Sequence, residues 1–161
     1  MQIAFLSLLS ASLTQHSNVQ GSMVKLNPMH LIVQHSPYSV SETIEKLEKA
    51  IKARGMTVFA VIDHSGEAQK VNLPLNDEKV IIFGDPKVGT FLMQENPSIG
   101  MELPLRILVW KNEEDLVQVA YIDPVSLAES YEMTKQAEIL KKMSFGLANL
   151  VGEVIQQSSP L

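Results

Sequence analysis

Read as a pattern of apolar and polar positions, the chain becomes regular at His30 and stays so almost to its end. Residues 30–35 (HLIVQH) form a short run rich in β-branched side chains, halted by Ser36-Pro37, and predict a strand. Ser39 and Glu42 then stand at capping-box spacing, where the hydroxyl accepts the third backbone N–H and the carboxylate reaches back. A helix follows, with Ile44, Leu47 and Ile51 on one face, Glu45/Lys49 and Glu48/Lys52 spaced to pair on the other, and Gly55 as its left-handed stop. Residues 57–62 (TVFAVI) predict a second strand. A strand, helix and strand joined this closely predict a right-handed crossover with the two strands parallel.

Residues 65–71 can form a helical turn before Asn72-Leu73-Pro74-Leu75 breaks it. Residues 79–83 are almost wholly apolar, which predicts a central strand. Asp85 or Pro86 opens a short helix that runs to Gln94 and ends at Asn96-Pro97. Residues 105–111 and 116–122 predict an antiparallel hairpin across Asn112-Glu113-Glu114-Asp115, and Asp123-Pro124 opens another helical turn. The last helix, residues 135–156, carries Ile139, Met143, Leu147, Leu150 and Val154 on one stripe. The sum is an α+β domain: a mixed sheet of five strands covered by helices, with a C-terminal helix, organised around residues 82–110.

Composition narrows the function classes. The chain has 161 residues, 45% hydrophobic and 19% charged, which fits one domain with a sizeable core, assigned to residues 23–161. A formal net charge of -5 argues against a surface that gathers nucleic acid or anionic lipid by bulk electrostatics. The absence of cysteine excludes disulfides, thiolate metal sites and cysteine nucleophiles. Residues 3–13 (IAFLSLLSASL) are too short to span a bilayer as a helix but suit the h-region of a secretory signal, with small residues near Gly21 for cleavage and no Lys or Arg ahead of the run. Residues 1–22 therefore read either as a cleaved signal, which implies a periplasmic or secreted protein, or as a disordered or loosely docked extension of a cytoplasmic one, with Met23 as an alternative start. In either case they are expected to lie outside the core.

Three blocks carry a resemblance: Ile62-Asp63-His64; Phe83-Gly84-Asp85-Pro86-Lys87 with Gly89-Thr90; and Leu103-Pro104-Leu105 leading into Ile107-Leu108-Val109-Trp110. With Ser36-Pro37-Tyr38-Ser39 before them and Tyr121 and Asp123-Pro124 after, in that order and spacing, the chain resembles the bacterial and archaeal family called domain of unknown function 302 over residues 31–131. The resemblance implies a compact α+β sandwich, a homodimer as one form of it, and no established reaction. Two positions depart from the family pattern: Asp85 stands where Asn is usual, adding a charge, and Glu102 stands where Asp is common, adding reach.

The residues that could carry chemistry are few. His64 ends a strand beside Asp63 and near Glu67, so a neutral imidazole oriented by a carboxylate could act as a base, or simply close a turn. His30 and His35 point to opposite faces of a strand and form no local metal pair; without HExxH-like spacing no metal or other cofactor is called for. Residues 84–90 hold two glycines, Lys87 and Thr90 between a strand and a helix, but Lys87 precedes the second glycine and Asp85 sits where a phosphate would, so this is not Walker A. Asp85 reads first as a helix cap, with a small anion at the helix start as the alternative. Arg106 interrupts an apolar strand, on the face shared with Leu108 and Trp110, whereas Tyr121 shares a face with Asp123 on the paired strand. Arg106 is either a buried structural pair with Asp123, Glu102 or Asp85, whose loss would cost on the order of 3–5 kcal/mol, or the cation of an anion pocket.

Three function classes follow: a domain that binds or senses a small anionic or apolar ligand in a pocket built from the 63–67 turn, the 84–90 turn and Arg106; an enzyme that uses His64 and a carboxylate for proton transfer; and a structural module that dimerises. Convergence of His64 and Arg106 on one apolar-walled pocket would keep the first two, and their separation would favour the third.

Overall fold

The computed structural model describes residues 30–156; the N-terminal run at 3–13 and both readings of residues 1–22 lie outside them. Five strands form one sheet: β1 (Leu31–Ser36), β2 (Thr57–Asp63), β3 (Glu78–Gly84), β4 (Leu105–Lys111) and β5 (Val117–Ile122), ordered β1-β5-β4-β3-β2. The helices are α1 (Val40–Ala53), α2 (His64–Lys70), α3 (Pro86–Glu95), α4 (Leu127–Ser130) and α5 (Ala137–Ile155), with 3-10 turns at Pro97–Met101 and Pro124–Ser126. The α+β class, the five strands, the β4–β5 hairpin and the C-terminal helix stand as the pattern predicts.

The sheet is not mixed. Every hydrogen-bonded pair is antiparallel. β1 and β2 do run the same way, but β5, β4 and β3 lie between them, so α1 crosses the whole sheet and joins its two edges. Hairpin-like connections from β2 to β3 and from β4 to β5 claim the neighbouring positions, and β1 pairs with the last strand instead.

Alternation along the strands sorts side chains to two faces. One face contributes Ile81, Phe83, Ile107, Val109, Val119 and Tyr121 to a core completed by Leu47 and Ile51 of α1 and Leu147, Leu150 and Val151 of α5. The N-terminus of α1 is built as its sequence predicts: Ser39 accepts Glu42 N–H at 3.2 Å and Glu42 accepts Ser39 N–H at 3.0 Å. Beneath that turn, buried Ser36 and Thr43 join hydroxyl to hydroxyl at 2.7 Å, which fastens the end of β1 to the start of α1. A smaller apolar cluster, with Leu92, Ile99, Leu127, Tyr131 and Leu140, lies beyond one end of the sheet.

The opposite face carries Leu108, Trp110, Val80 and Ile82, all half-buried, flanked by Val33 of β1 and Ile62 of β2. Neither α1 nor α5 covers it: Leu31, Val33 and Ile62 remain 58%, 47% and 39% exposed. At these positions it is an apolar sheet surface left open to water, although Ala120 on the same face is buried and Ile122 packs against the smaller cluster.

The start of α5 is held from a distance. Gln136 offers no side-chain cap, but the Glu95 carboxylate at the end of α3 accepts N–H bonds from Thr134 at 2.8 Å, Lys135 at 2.8 Å and Gln136 at 2.7 Å. These three N–H groups belong to the N-cap residue and the two residues just ahead of it, so the carboxylate fixes the chain where it enters the helix. The bond from Lys135, then those from Thr134 and Gln136, hold the Glu95 carboxyl below the usual carboxylate range. A carboxylate with a depressed folded pKa contributes stability that is full above its unfolded value and lost as pH falls through the folded one. Glu95→Gln is therefore expected to lower Tm at neutral pH, and the gap from the parent should close below about pH 4 as the parent's own carboxylate protonates. Paired thermal melts across pH check both the sign and the window.

Candidate functional site

The sequence-predicted residues fall at two ends of the sheet. Asp63 caps α2, accepting Gly66 N–H at 2.8 Å and the Ser65 hydroxyl at 2.7 Å, with Lys79 at 3.4 Å. The backbone bond from Gly66, then the Ser65 hydroxyl, lower its pKa, and the carboxylate that was to orient His64 is thereby already engaged. His64 is half-buried in the first turn of α2, and Glu67 pairs on the surface with Lys70 at 2.7 Å. The 84–90 turn adjoins the other end of β2, where Thr57 pairs with Gly84, six residue steps and roughly 20 Å from Asp63. Arg106, opposite Ile82, lies toward that same end. His64 and Arg106 do not share a pocket. Tyr121 belongs to the core, 5% exposed, where burial and then Asp123 push its hydroxyl pKa up.

What the 84–90 turn does line is a cleft. Asp85 accepts Lys87 N–H at 2.9 Å and starts α3 at Pro86, and the Thr90 hydroxyl donates to the Pro86 carbonyl at 2.7 Å, so all three serve the helix. Between that helix, the end of β3 and the start of β4 opens a cavity of about 520 Å³ walled by Phe59, Val88, Gly89, Met93, Leu103 and Pro104. Phe59 reaches it because β2 is irregular between Val58 and Ala60. A β-carbon at Gly84 would come within 3.7 Å of Pro104, and one at Gly89 within 3.8 Å of Met93 and 3.9 Å of Leu103, ordinary contact distances that mark both glycines as lining rather than clashing.

A second cavity, of about 760 Å³, runs between α3 and α5 over Phe83 and Leu147. The two share Met56, Val88, Leu105 and Met143 as walls and so form adjoining parts of one apolar groove. Phe91 and Phe145 stand at its mouth, 44% and 72% exposed. The charged lining of the second cavity is all basic, Arg54, Lys87 and Lys142, whereas the first cavity carries Asp85. Arg54 is bonded to the Glu153 carboxylate, whereas among the described residues neither Lys87 nor Lys142 has a carboxylate within ion-pair distance. Met56, Phe59, Lys142 and Phe145 escape a reading of the sequence, although Phe145, a large apolar residue off the buried stripe of α5, was a visible signal.

Groups able to move a proton are scarce in this groove. Asp85 is the acidic residue among its described lining, and it is committed to a backbone N–H.

A family model for a domain of unknown function, DUF302, matches residues 32–150. The chain belongs to the DUF302 family. The crystal structure of an uncharacterized conserved protein DUF302 from Bacillus stearothermophilus shares its fold, with a TM-score of 0.71 at 19% identity, over 80% of this chain and 100% of that one. Among curated proteins, the Fluoride-specific ion channel FluC 1 of Brucella suis is 37% identical over 112 residues, covering 70% of this chain and 44% of the channel protein. FluC 1 of Brucella abortus and FluC 2 of Brucella melitensis match equally, over 42% of their lengths. The chain thus spans less than half of the curated relatives it matches.

In this DUF302 chain Glu102 and Arg106 form a pair at 3.2 Å, and Glu102 also accepts the Tyr131 hydroxyl at 3.0 Å. Burial, then the bond to Glu102, raises the Tyr131 pKa. The partner is one of the three carboxylates expected, but the pair is not buried as a unit: the Arg106 side chain is 52% exposed and that of Glu102 13%. Nor does Arg106 line either cavity. The large penalty for breaking a buried pair does not apply to a guanidinium this wet. Arg106→Leu is expected to cost about 1 kcal/mol or less in urea unfolding, because Glu102 keeps the Tyr131 hydroxyl. A loss of several kcal/mol would return Arg106 to the buried class.

Proposed function

We propose that this domain binds a small, largely apolar ligand in the groove beside the 84–90 turn, as a sensing or carrier module rather than as a catalyst. The observation that carries the reading is the pair of adjoining cavities, about 520 and 760 Å³, walled by Met, Phe, Val and Leu side chains from β2, β3, β4, α3 and α5. Those volumes fall within the range of small-molecule sites, roughly 300–1,000 Å³, and several elements converge on them. An enzyme using His64 is less well supported, since His64 is remote from the groove and its neighbouring carboxylate is engaged as a helix cap.

The Brucella relatives bear on context. Those proteins are named as fluoride-specific ion channels, and the stretch they share with this chain is 112 residues, under half their length. Among the described residues here no helix is long and apolar enough to cross a membrane. This supports reading the shared stretch as an accessory domain, with the ion path in the remainder of those proteins.

Gly89 supplies the direct test. It is helical, and a side chain there would project toward Met93 and Leu103 across the cleft. Gly89→Leu should fill the cavity while helix propensity favours the change by about 0.8 kcal/mol. A thermal-shift screen against small apolar and anionic compounds is expected to find ligands that raise Tm of the parent and not of Gly89→Leu. A hit that stabilises both proteins equally would put the ligand elsewhere.

A second reading rests on the bare sheet face: a module that pairs with a second copy through Val33, Leu108, Trp110 and Ile62. Sedimentation velocity is expected to give a dimer for the parent and a monomer for the Val33→Lys/Ile62→Lys double variant, both positions being exposed enough to change without loss of fold. A parent that stays monomeric at high concentration would eliminate the homodimer.

A further inference from the structure

The α3–α5 part of the groove is apolar along its floor and basic in its charged lining, and that combination is selective. Resting on the reading that the groove is a ligand site, we infer that its ligand is an anionic amphiphile: an acyl or similarly apolar chain that ends in a carboxylate or phosphate. Phe83, Leu105, Met143 and Leu147 supply walls that gain by excluding water from a hydrocarbon chain. Lys87 comes from the first turn of α3 and Lys142 from α5, so one lysine from each of the two helices borders the α3–α5 cavity. Lysine lays its methylene stem along apolar surface and keeps its charge toward water, which puts a cation where an amphiphile's head would emerge.

The charge balance favours an anion specifically. Arg54, the third basic residue in this lining, is neutralised by Glu153, and no carboxylate lines the α3–α5 cavity among the described residues. This stands against the character of the whole chain, whose formal net charge is -5. A locally basic rim on an acidic protein repels cationic amphiphiles and leaves neutral ones without a partner for their heads. The Phe91 and Phe145 rings at the mouth lengthen the apolar contact beyond the enclosed part, which suits a flexible chain better than a compact ring.

Isothermal titration of the full chain with decanoate, decanol and decyltrimethylammonium separates this proposal from the reading beneath it. Decanoate is expected to bind about tenfold more tightly than decanol, the equivalent of about 1.4 kcal/mol, with decyltrimethylammonium weakest. In Lys87→Gln/Lys142→Gln the decanoate advantage over decanol should vanish, any loss of apolar contact being common to both ligands, and added salt should weaken decanoate alone. Equal binding of decanoate and decanol, or an unchanged preference in the double variant, overturns the anionic assignment and leaves the apolar groove standing. Failure of all three to bind overturns the groove itself. Both lysines are exposed, so the variant is expected to keep its fold, and its Tm and circular dichroism confirm that. Co-sedimentation with phosphatidylglycerol vesicles distinguishes the source of the head group. Vesicle binding that decanoate displaces identifies a bilayer lipid as the ligand. Vesicle binding that decanoate does not displace, with no decanoate bound in solution, means a membrane-facing surface and overturns the proposal.

Discussion

Burial of one sheet face under two helices is the constraint from which the rest of the molecule follows. Ile81, Phe83, Ile107, Val109 and Val119 are fully removed from water only because α1 and α5 lie together over them. α1 reaches that position by crossing from one sheet edge to the other, and α5 by returning from beyond the end of β5. Returning α5 requires a fixed starting point. Glu95 supplies it at one end of the path, and Asp123, which accepts the Ser144 hydroxyl, ties the end of β5 to the body of the helix. The groove is a by-product of the same closure: α3, which carries Glu95 at its C-terminus, is drawn to the flank of α5, and the space between them is floored by the core's own edge, Phe83 and Leu105.

The two candidate surfaces differ in physical kind. The groove offers enclosure and a sign of charge, features that discriminate among small molecules. The bare sheet face offers area and little relief, which discriminates poorly among small molecules but suits another flat surface. The two share no lining residue, because the groove opens on the core side at Phe83, Leu105 and Leu147 whereas Val33, Leu108 and Ile62 lie on the other face. One domain can hold both.

Local chemistry was legible in the chain, and pairing was not. Ser39 with Glu42, Asp85 with Pro86, and the Asn112–Asp115 turn with Asp115 at φ 61° all form where they were expected, because each is decided by residues within a few positions of one another. The β-branched runs placed the strands for the same reason. Sheet order is decided by which edges are free once the hairpins have formed, and nothing in residues 30–62 records that three other strands will come between β1 and β2. Glu95 reads as an ordinary surface carboxylate until residues 134–136 arrive beside it. The apolar neighbours of Arg106 in sequence point to a buried pair or to the cation of an anion pocket; it sits instead paired with Glu102 on the uncovered face, near the end of a strand, where water reaches it, and lines neither cavity. The basic rim was hidden more thoroughly, since Lys87 and Lys142 lie on separate helices and neither belongs to a motif.

The strand order also sets a timetable. Among the described strands β1 is the first to leave the ribosome, yet within the described residues its hydrogen-bonded neighbour is β5, and Leu31 must wait for Ile122. β2, β3 and β4 can pair in turn as they emerge, but until β5 is complete the nascent chain carries β1 and α1 as a tethered arm with an unsatisfied edge. Such non-local closure is slow relative to helix or hairpin formation. A ribosome pausing ahead of residue 117, or a chain cut there, would therefore leave an open three-stranded sheet of β2, β3 and β4 at best, with β1 unpaired and the apolar floor of α1 and the edge of β4 available to the wrong partner.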